Sequence, residues 1–193
     1  MKLPYPVVLA SASPRRQDLL GPIVGEFSVH PADLDEEALG DPDPWVTAQR
    51  LAREKASAVF AAHPDSLVIG ADTVVALEGA NGWVQYAKPV DEADACRILG
   101  TLSGQTHVVV TGVAMRWPGG MAAFTETARV TFRTLSQAEI QAYVAGGEPM
   151  DKAGAYGYQG GAKAFIERLE GDINTVIGLP TGRLKQDLKN LFR

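Results

Sequence analysis

Hydrophobic residues along this chain fall into short unbroken runs separated by stretches of helical spacing, an alternation that predicts a sheet with helices packed on it. Val7, Val8 and Leu9 form a β-branched run ended by Ala10 and Ser11. Ser13 followed by Pro14 then predicts a helix start, because proline at the first helical position leaves no amide orphaned. A strand-like FSVHPADLDEE follows that helix and ends in acidic residues. Residues 44–61 place Ala48, Leu51, Ala52, Ala56 and Val59 on one helical face. Residues 67–77, LVIGADTVVAL, are apolar enough for a strand covered on both faces, and Asn81-Gly82 predicts the turn of a hairpin over 78–87. Asp91 is placed to cap a helix to about Leu102, and a long hairpin follows, THVVVTGVAMRW and FTETARVTFRTL joined by a Pro-Gly-Gly turn. Ser136 and Glu139 read as a capping box for a helix to Val144. A glycine-rich loop, DKAGAYGYQGGAKAF, leads into the strand FIERLEG; NTVIGLP is expected to complete the sheet, and TGRLKQDLKNLF is an amphipathic final helix. The fold class expected is α/β, with a mixed central sheet flanked by helices.

Charges that break this pattern are the candidates for chemistry. Arg15 and Arg16 fall in the first turn of a helix, where the dipole disfavours cations by roughly a few tenths of a kcal/mol each, so an anion such as phosphate is expected beside them. At about 100° per residue, Lys55 projects into the apolar stripe of its helix while Arg50, Arg53 and Glu54 lie opposite. Asp72 interrupts a buried strand, and an unpaired buried charge costs several kcal/mol, so it must be hydrogen-bonded, paired with a cation or bound to metal. Gly70 beside it offers close backbone approach. Lys88 precedes a proline in extended chain, and the acidic cluster around Glu36 leaves room for one carboxylate to turn inward. The glycine loop lacks the P-loop arrangement; its Tyr156, Tyr158 and Gln159 suit a wall that reads a base. His107, a lone histidine opening a strand, reads as structural. Four cations, Arg15, Arg16, Lys55 and Lys88, with two acids, Glu36 and Asp72, have the composition of a metal-assisted phosphoryl site.

Composition narrows the setting. With 193 residues and no linker or internal repeat, a single domain over 1–193 is expected. A net charge of −5 argues against general nucleic-acid binding. One cysteine, Cys96, excludes an internal disulfide and a cysteine metal site, which fits a reducing compartment. Pro4 and Pro6 interrupt the N-terminal apolar run, so no secretory signal is read there. No run approaches the roughly 20 apolar residues that span a bilayer, and a cytoplasmic protein away from membranes is expected.

The stretches LASASPRRQDLL, DLDE, LAREKA, GADTVV, Lys88-Pro89, LSGQTHVVVTGV, DKAGAYGYQG and GLP, in this order, resemble the Maf family of nucleoside triphosphate pyrophosphatases over essentially the whole length. The resemblance implies hydrolysis of a nucleoside triphosphate to the monophosphate and pyrophosphate with a divalent cation, Mg²⁺ or Mn²⁺. It implies two lobes around a cleft, similar to inosine triphosphate pyrophosphatases, and commonly a homodimer. By motif position it places the active-site acid on Asp72, with Glu36 and Asp72 at the metal, and substrate contacts on Ser11, Arg15, Arg16, Lys55, Thr73, Lys88 and Gln159. Arg15, Thr73 and Gln159 resemble the dTTP/UTP branch rather than the 7-methyl-GTP branch, whereas GDINTVIGLP looks more like the latter and WVQYAKP departs from the usual approach to the lysine. The alternatives are a non-catalytic nucleotide-binding regulator of septum formation and an inosine triphosphatase, which a pyrophosphate-release panel separates.

Overall fold

The computed structural model describes residues 2–192, apart from the side chain of Glu37. Strand β1 (Val7–Leu9) lies parallel to β2 (Ser28–Val29) on one side and to β3 (Leu67–Gly79) on the other. From β3 the sheet continues antiparallel through β5 (Thr106–Trp117), β6 (Gly120–Phe132) and β7 (Ile166–Glu170). Strand β4 (Gly82–Tyr86) turns back from Asn81-Gly82 to pair with the far end of β3, completing a seven-stranded mixed sheet. The expected architecture is therefore the one found.

One edge of β3 changes partner along its length. Residues 67–69 pair with β1 and residues 75–79 with β4, so among the described residues the stretch 70–74 has no strand beside it on that edge. The sheet forks there, and each prong carries its own helices. Ile69 and Ala71 share a core with Leu20 of α1 (Pro14–Val24) and Leu184 of α6 (Thr181–Leu191). Val75, on the same face but past the fork, joins Leu99 of α3 (Glu92–Leu102) and Val144 of α4 (Gln137–Ala145) in a separate cluster. These two packed groups are the two expected lobes.

Helix α2 (Pro44–Ala62) covers the opposite face of the sheet, starting from Asp43, whose carboxylate accepts from the Trp45 and Val46 amides. It lies almost on the strands. A Cβ at Gly70 would run into the Ala52 carbonyl and the Ala56 amide, and one at Gly112 into the Ala48 carbonyl. Gly70 does serve close backbone approach, but the backbone it admits is that of α2 rather than a ligand.

Residues 173–177 differ from expectation: they form the short helix α5 (Ile173–Ile177) instead of a strand. Asp172 caps it by accepting from the Asn174 amide at 2.9 Å, and Gly178, at φ 123°, closes it with an N–H bond to the Asn174 carbonyl. Ile173, Val176 and Ile177 have helical as well as apolar spacing, and the cap decides between the two periods.

Candidate active site

The fork opens onto a cleft of about 950 Å³, the size of a small-molecule site, and every residue singled out above for chemistry borders it. Asp72 lies in the unpaired stretch of β3, opposite Gly112, and its side chain shares the face that α2 covers. The glycines that let α2 settle on the sheet bring Lys55 down to it. Lys55 Nζ stands 2.6 Å from Asp72 Oδ1 and 2.7 Å from Glu36 Oε1. Lys55 and Asp72 side chains are only 10% and 12% exposed, against 51% for Glu36, so the first two form a fixed pair and the third is a half-wet arm resting on it. Burial works against the charge on Glu36, but the hydrogen bond to Lys55 and the charges of Lys55, Lys88 and Arg16 outweigh it and hold the carboxyl below the usual range.

The arginine pair divides into two different roles. Arg16 is part of the frame: Nε donates to the Gly178 carbonyl at 2.9 Å, Nη1 to Ser11 Oγ at 3.1 Å and Nη2 to Thr73 Oγ1 at 3.0 Å. The Thr111 hydroxyl donates to the Thr175 carbonyl at 2.7 Å, so in its 2.9 Å contact with Thr73 the proton comes from Thr73. A relay from Arg16 through Thr73 and Thr111 thus ties α1 to β3, β5 and α5. Burial pulls the Arg16 pKa down, while Asp72 pulls it back up. Arg15 instead reaches from α1 to Asp151, 3.2 Å away on the other lobe. Ser11 accepts from both Arg16 Nη1 and the Ser13 amide, which leaves its own hydroxyl proton without an acceptor among the described residues. Ser13 occupies the expected cap position of α1 but makes no side-chain cap bond.

Lys88 is exposed at the cleft after β4. Tyr158 and Gln159 border the far wall, and neither side chain has a hydrogen bond, ion pair or ring contact among the described residues. Tyr156 departs from the expected wall of rings: its side chain is buried in the core of the second lobe, with the hydroxyl 2.7 Å from His107 Nε2. His107 accordingly faces the core, where burial lowers its pKa to about 4.

Residues not singled out from sequence support the acidic arm. The Asp41 carbonyl accepts from Thr47 Oγ1 at 2.9 Å and Gln85 Nε2 at 2.6 Å, and its carboxylate pairs with Arg50 at 3.2 Å. Arg50 also donates to the Leu39 carbonyl, which clamps the loop between Glu36 and α2. The position of Arg50 on the polar face of α2 gave no sign that this loop would fold back on it.

Among the described residues no group of three or more His, Cys, Asp or Glu side chains is disposed to hold a metal by itself. Glu36 and Asp72 each keep one carboxylate oxygen free of protein partners among the described residues. Such a pair fits a hard divalent ion of the Mg²⁺ type, which takes one or two carboxylates and completes its shell with water and phosphate oxygens.

The Maf-like protein family matches residues 6–191. The chain belongs to the Maf-like family. Relatives that carry the name dTTP/UTP pyrophosphatase include those of Koribacter versatilis (48% identical, covering 92% of this chain and 90% of that one), Aquifex aeolicus (46%, covering 96% and 95%) and Geobacter sulfurreducens (45%, covering 96% of each). Among solved structures, the Ham1 protein of Staphylococcus aureus superposes with a TM-score of 0.58 at 18% identity, covering 96% of this chain and 98% of that one, so the two share a fold. No described helix is long and apolar enough to cross a membrane.

Proposed function

We propose that this chain hydrolyses nucleoside triphosphates, dTTP and UTP foremost, to the monophosphate and pyrophosphate. The observation that carries the reading is the Lys55 ammonium held between Asp72 and Glu36 in a cleft that Arg15 and Lys88 also border. Membership of the Maf-like family, and relatives that bear the dTTP/UTP pyrophosphatase name at 45–48% identity, support the substrate class. Asp72 and Glu36 would hold a divalent cation, Mg²⁺ or Mn²⁺, through the oxygens that Lys55 does not engage. When bound, that ion supplies positive charge at the phosphates and acidity to nearby water.

Asp72 accepts the proton of a water whose oxygen attacks the α-phosphorus, and the α–β bridging oxygen leaves with pyrophosphate. Lys55 helps hold the Glu36 carboxyl below the usual range and fixes Asp72 in place. Lys88 and Arg15 neutralise charge on the leaving phosphates, and the free proton of Ser11 donates to a phosphate oxygen. Arg16 and Thr73, whose groups are largely committed to each other, shape the phosphate side more than they bind it. Gln159 offers a donor and an acceptor to a pyrimidine edge. The same reading takes the chain as a cytoplasmic homodimer, the second half of which sedimentation of the pure protein tests.

Pyrophosphate release from dTTP, UTP, CTP, inosine triphosphate and 7-methyl-GTP, with Mg²⁺, with Mn²⁺ and with chelator, tests the whole. The expected outcome is metal-dependent release, fastest from dTTP and UTP and lost in Asp72→Asn. Binding without release would leave a nucleotide-binding regulator, and near-normal turnover of Asp72→Asn removes Asp72 from the chemistry.

A further inference from the structure

Two features outside the catalytic set are built into the molecule at a disadvantage. His107 Nδ1 is buried with no hydrogen-bond partner among the described residues, an arrangement an apolar residue of similar shape would avoid. Ala155 takes φ 59°, among the described residues the one positive φ outside glycine. The two meet at a single point, since Tyr156 follows Ala155 and its hydroxyl lies 2.7 Å from His107 Nε2. Phe132 boxes the contact edge-on, with ring centroids 5.0 Å from His107 and 4.8 Å from Tyr156.

Among the described residues the turn at 154–155 is held elsewhere by backbone bonds and packing. The Gly154 amide donates to the Ala87 carbonyl at 3.2 Å, immediately before Lys88, and Gly154 sits so close to Val75 that a Cβ would overlap it. Beyond Tyr156 the chain is anchored again where the Gly157 amide donates to the Tyr143 hydroxyl and the Gly161 amide to Glu148. Between these anchors stand Tyr158 and Gln159, whose side chains face the cleft without protein partners among the described residues.

We propose that the His107–Tyr156 hydrogen bond is a positioning device that locks the strained 154–155 turn and thereby aims Tyr158 and Gln159 at the base of the bound nucleotide, setting base selectivity from behind the cleft wall. It rests on the nucleoside triphosphate reading above. His107 touches no substrate; it acts through Tyr156 on the direction in which the chain leaves the turn. The imidazole presents Nε2 to the Tyr156 hydroxyl while its ring packs edge-on against Phe132, and Nδ1 is left unbonded among the described residues.

Tyr156→Phe removes the hydroxyl and keeps the ring, and His107→Gln keeps a polar group on β5. Dissociation constants of dTTP, UTP, CTP and inorganic triphosphate, measured by calorimetry in each variant, separate base recognition from phosphate recognition. The expected result is binding of dTTP weakened about five- to tenfold, the worth of one neutral hydrogen bond, with inorganic triphosphate unchanged and discrimination between dTTP and CTP reduced. In turnover the same variants raise KM and leave kcat within about twofold, the signature of lost ground-state binding. Equal weakening of triphosphate and dTTP, or dTTP affinity unchanged in a folded Tyr156→Phe, overturns the proposal. Because binding is read without turnover, failure of the wild type to release pyrophosphate would count against the proposed reaction and leave this comparison intact.

Discussion

Replacing Lys55 with methionine isolates the part of the site that everything else surrounds. The two carboxylate oxygens lie 2.6 and 2.7 Å from Nζ. They are therefore at most about 5 Å from each other, where two like charges repel by about 3 kcal/mol at an effective dielectric of about 20. Methionine fills the same volume, so the perturbation is electrostatic rather than a cavity. Glu36, half exposed, can swing into solvent and relieve part of the repulsion, whereas Asp72 stays on β3. A loss of about 1–3 kcal/mol in urea-unfolding stability is expected at pH 7. The Glu36 carboxyl, held down mainly by Lys55, then titrates higher, because burial is left less opposed. Adding Glu36→Gln to Lys55→Met removes the repulsion, so the double variant is expected to regain most of the stability while pyrophosphate release stays abolished. Wild-type stability in Lys55→Met, or a double variant no more stable than the single one, would falsify the claim that the ammonium is what keeps the two acids together.

Other expectations follow from the same geometry. Asp72→Asn is expected to slow pyrophosphate release by about 100-fold or more with the circular dichroism spectrum unchanged, since the amide oxygen still accepts from Lys55. Arg16→Lys leaves carbonyl and hydroxyl acceptors at Gly178, Ser11 and Thr73 without their fork, and a midpoint shift equivalent to about 1–3 kcal/mol in chemical denaturation is expected. Gly112→Ala sets a methyl against the Ala48 carbonyl; a drop of about 1–3 kcal/mol is expected, with activity falling further because α2 and Lys55 lift away. His107 is neutral when folded, with a pKa lowered to about 4 from 6.5. The unfolded chain therefore binds the extra proton first, and folding stability is full above pH 6.5 and declines as pH falls toward 4. The decline amounts to about 3 kcal/mol, and it is expected to flatten in His107→Gln; an unchanged slope would contradict the buried neutral ring.

The parts of the site legible in the sequence were those where a charge broke a period. Lys55 stood out because its helix is apolar on that face, and Asp72 because its strand is apolar on both; each is buried where the pattern put it. Capping residues were equally readable: Asp91, Ser136 and Glu139 make local bonds that depend on few distant neighbours. What could not be read were outcomes settled by tertiary contact. Arg15 and Arg16 look alike in the sequence, and only the arrival of Gly178 and Thr73 distinguishes the structural guanidinium from the one at the cleft mouth. Tyr156 neighbours Tyr158 in the sequence, yet a histidine 49 residues away turns it inward. The segment 173–177 satisfied both helical and strand spacing, and a single aspartate cap resolved it.

Because β3 belongs to both prongs, and β5 and β6 run unbroken behind it, the two halves of the molecule share a continuous backplate rather than a linker. Neither half owns a complete set of backbone partners without the other. Any tightening around a guest is therefore expected to twist the long ribbon rather than swing on a joint. Among the described residues no linker joins the halves, and heat should dismantle both in one concerted event.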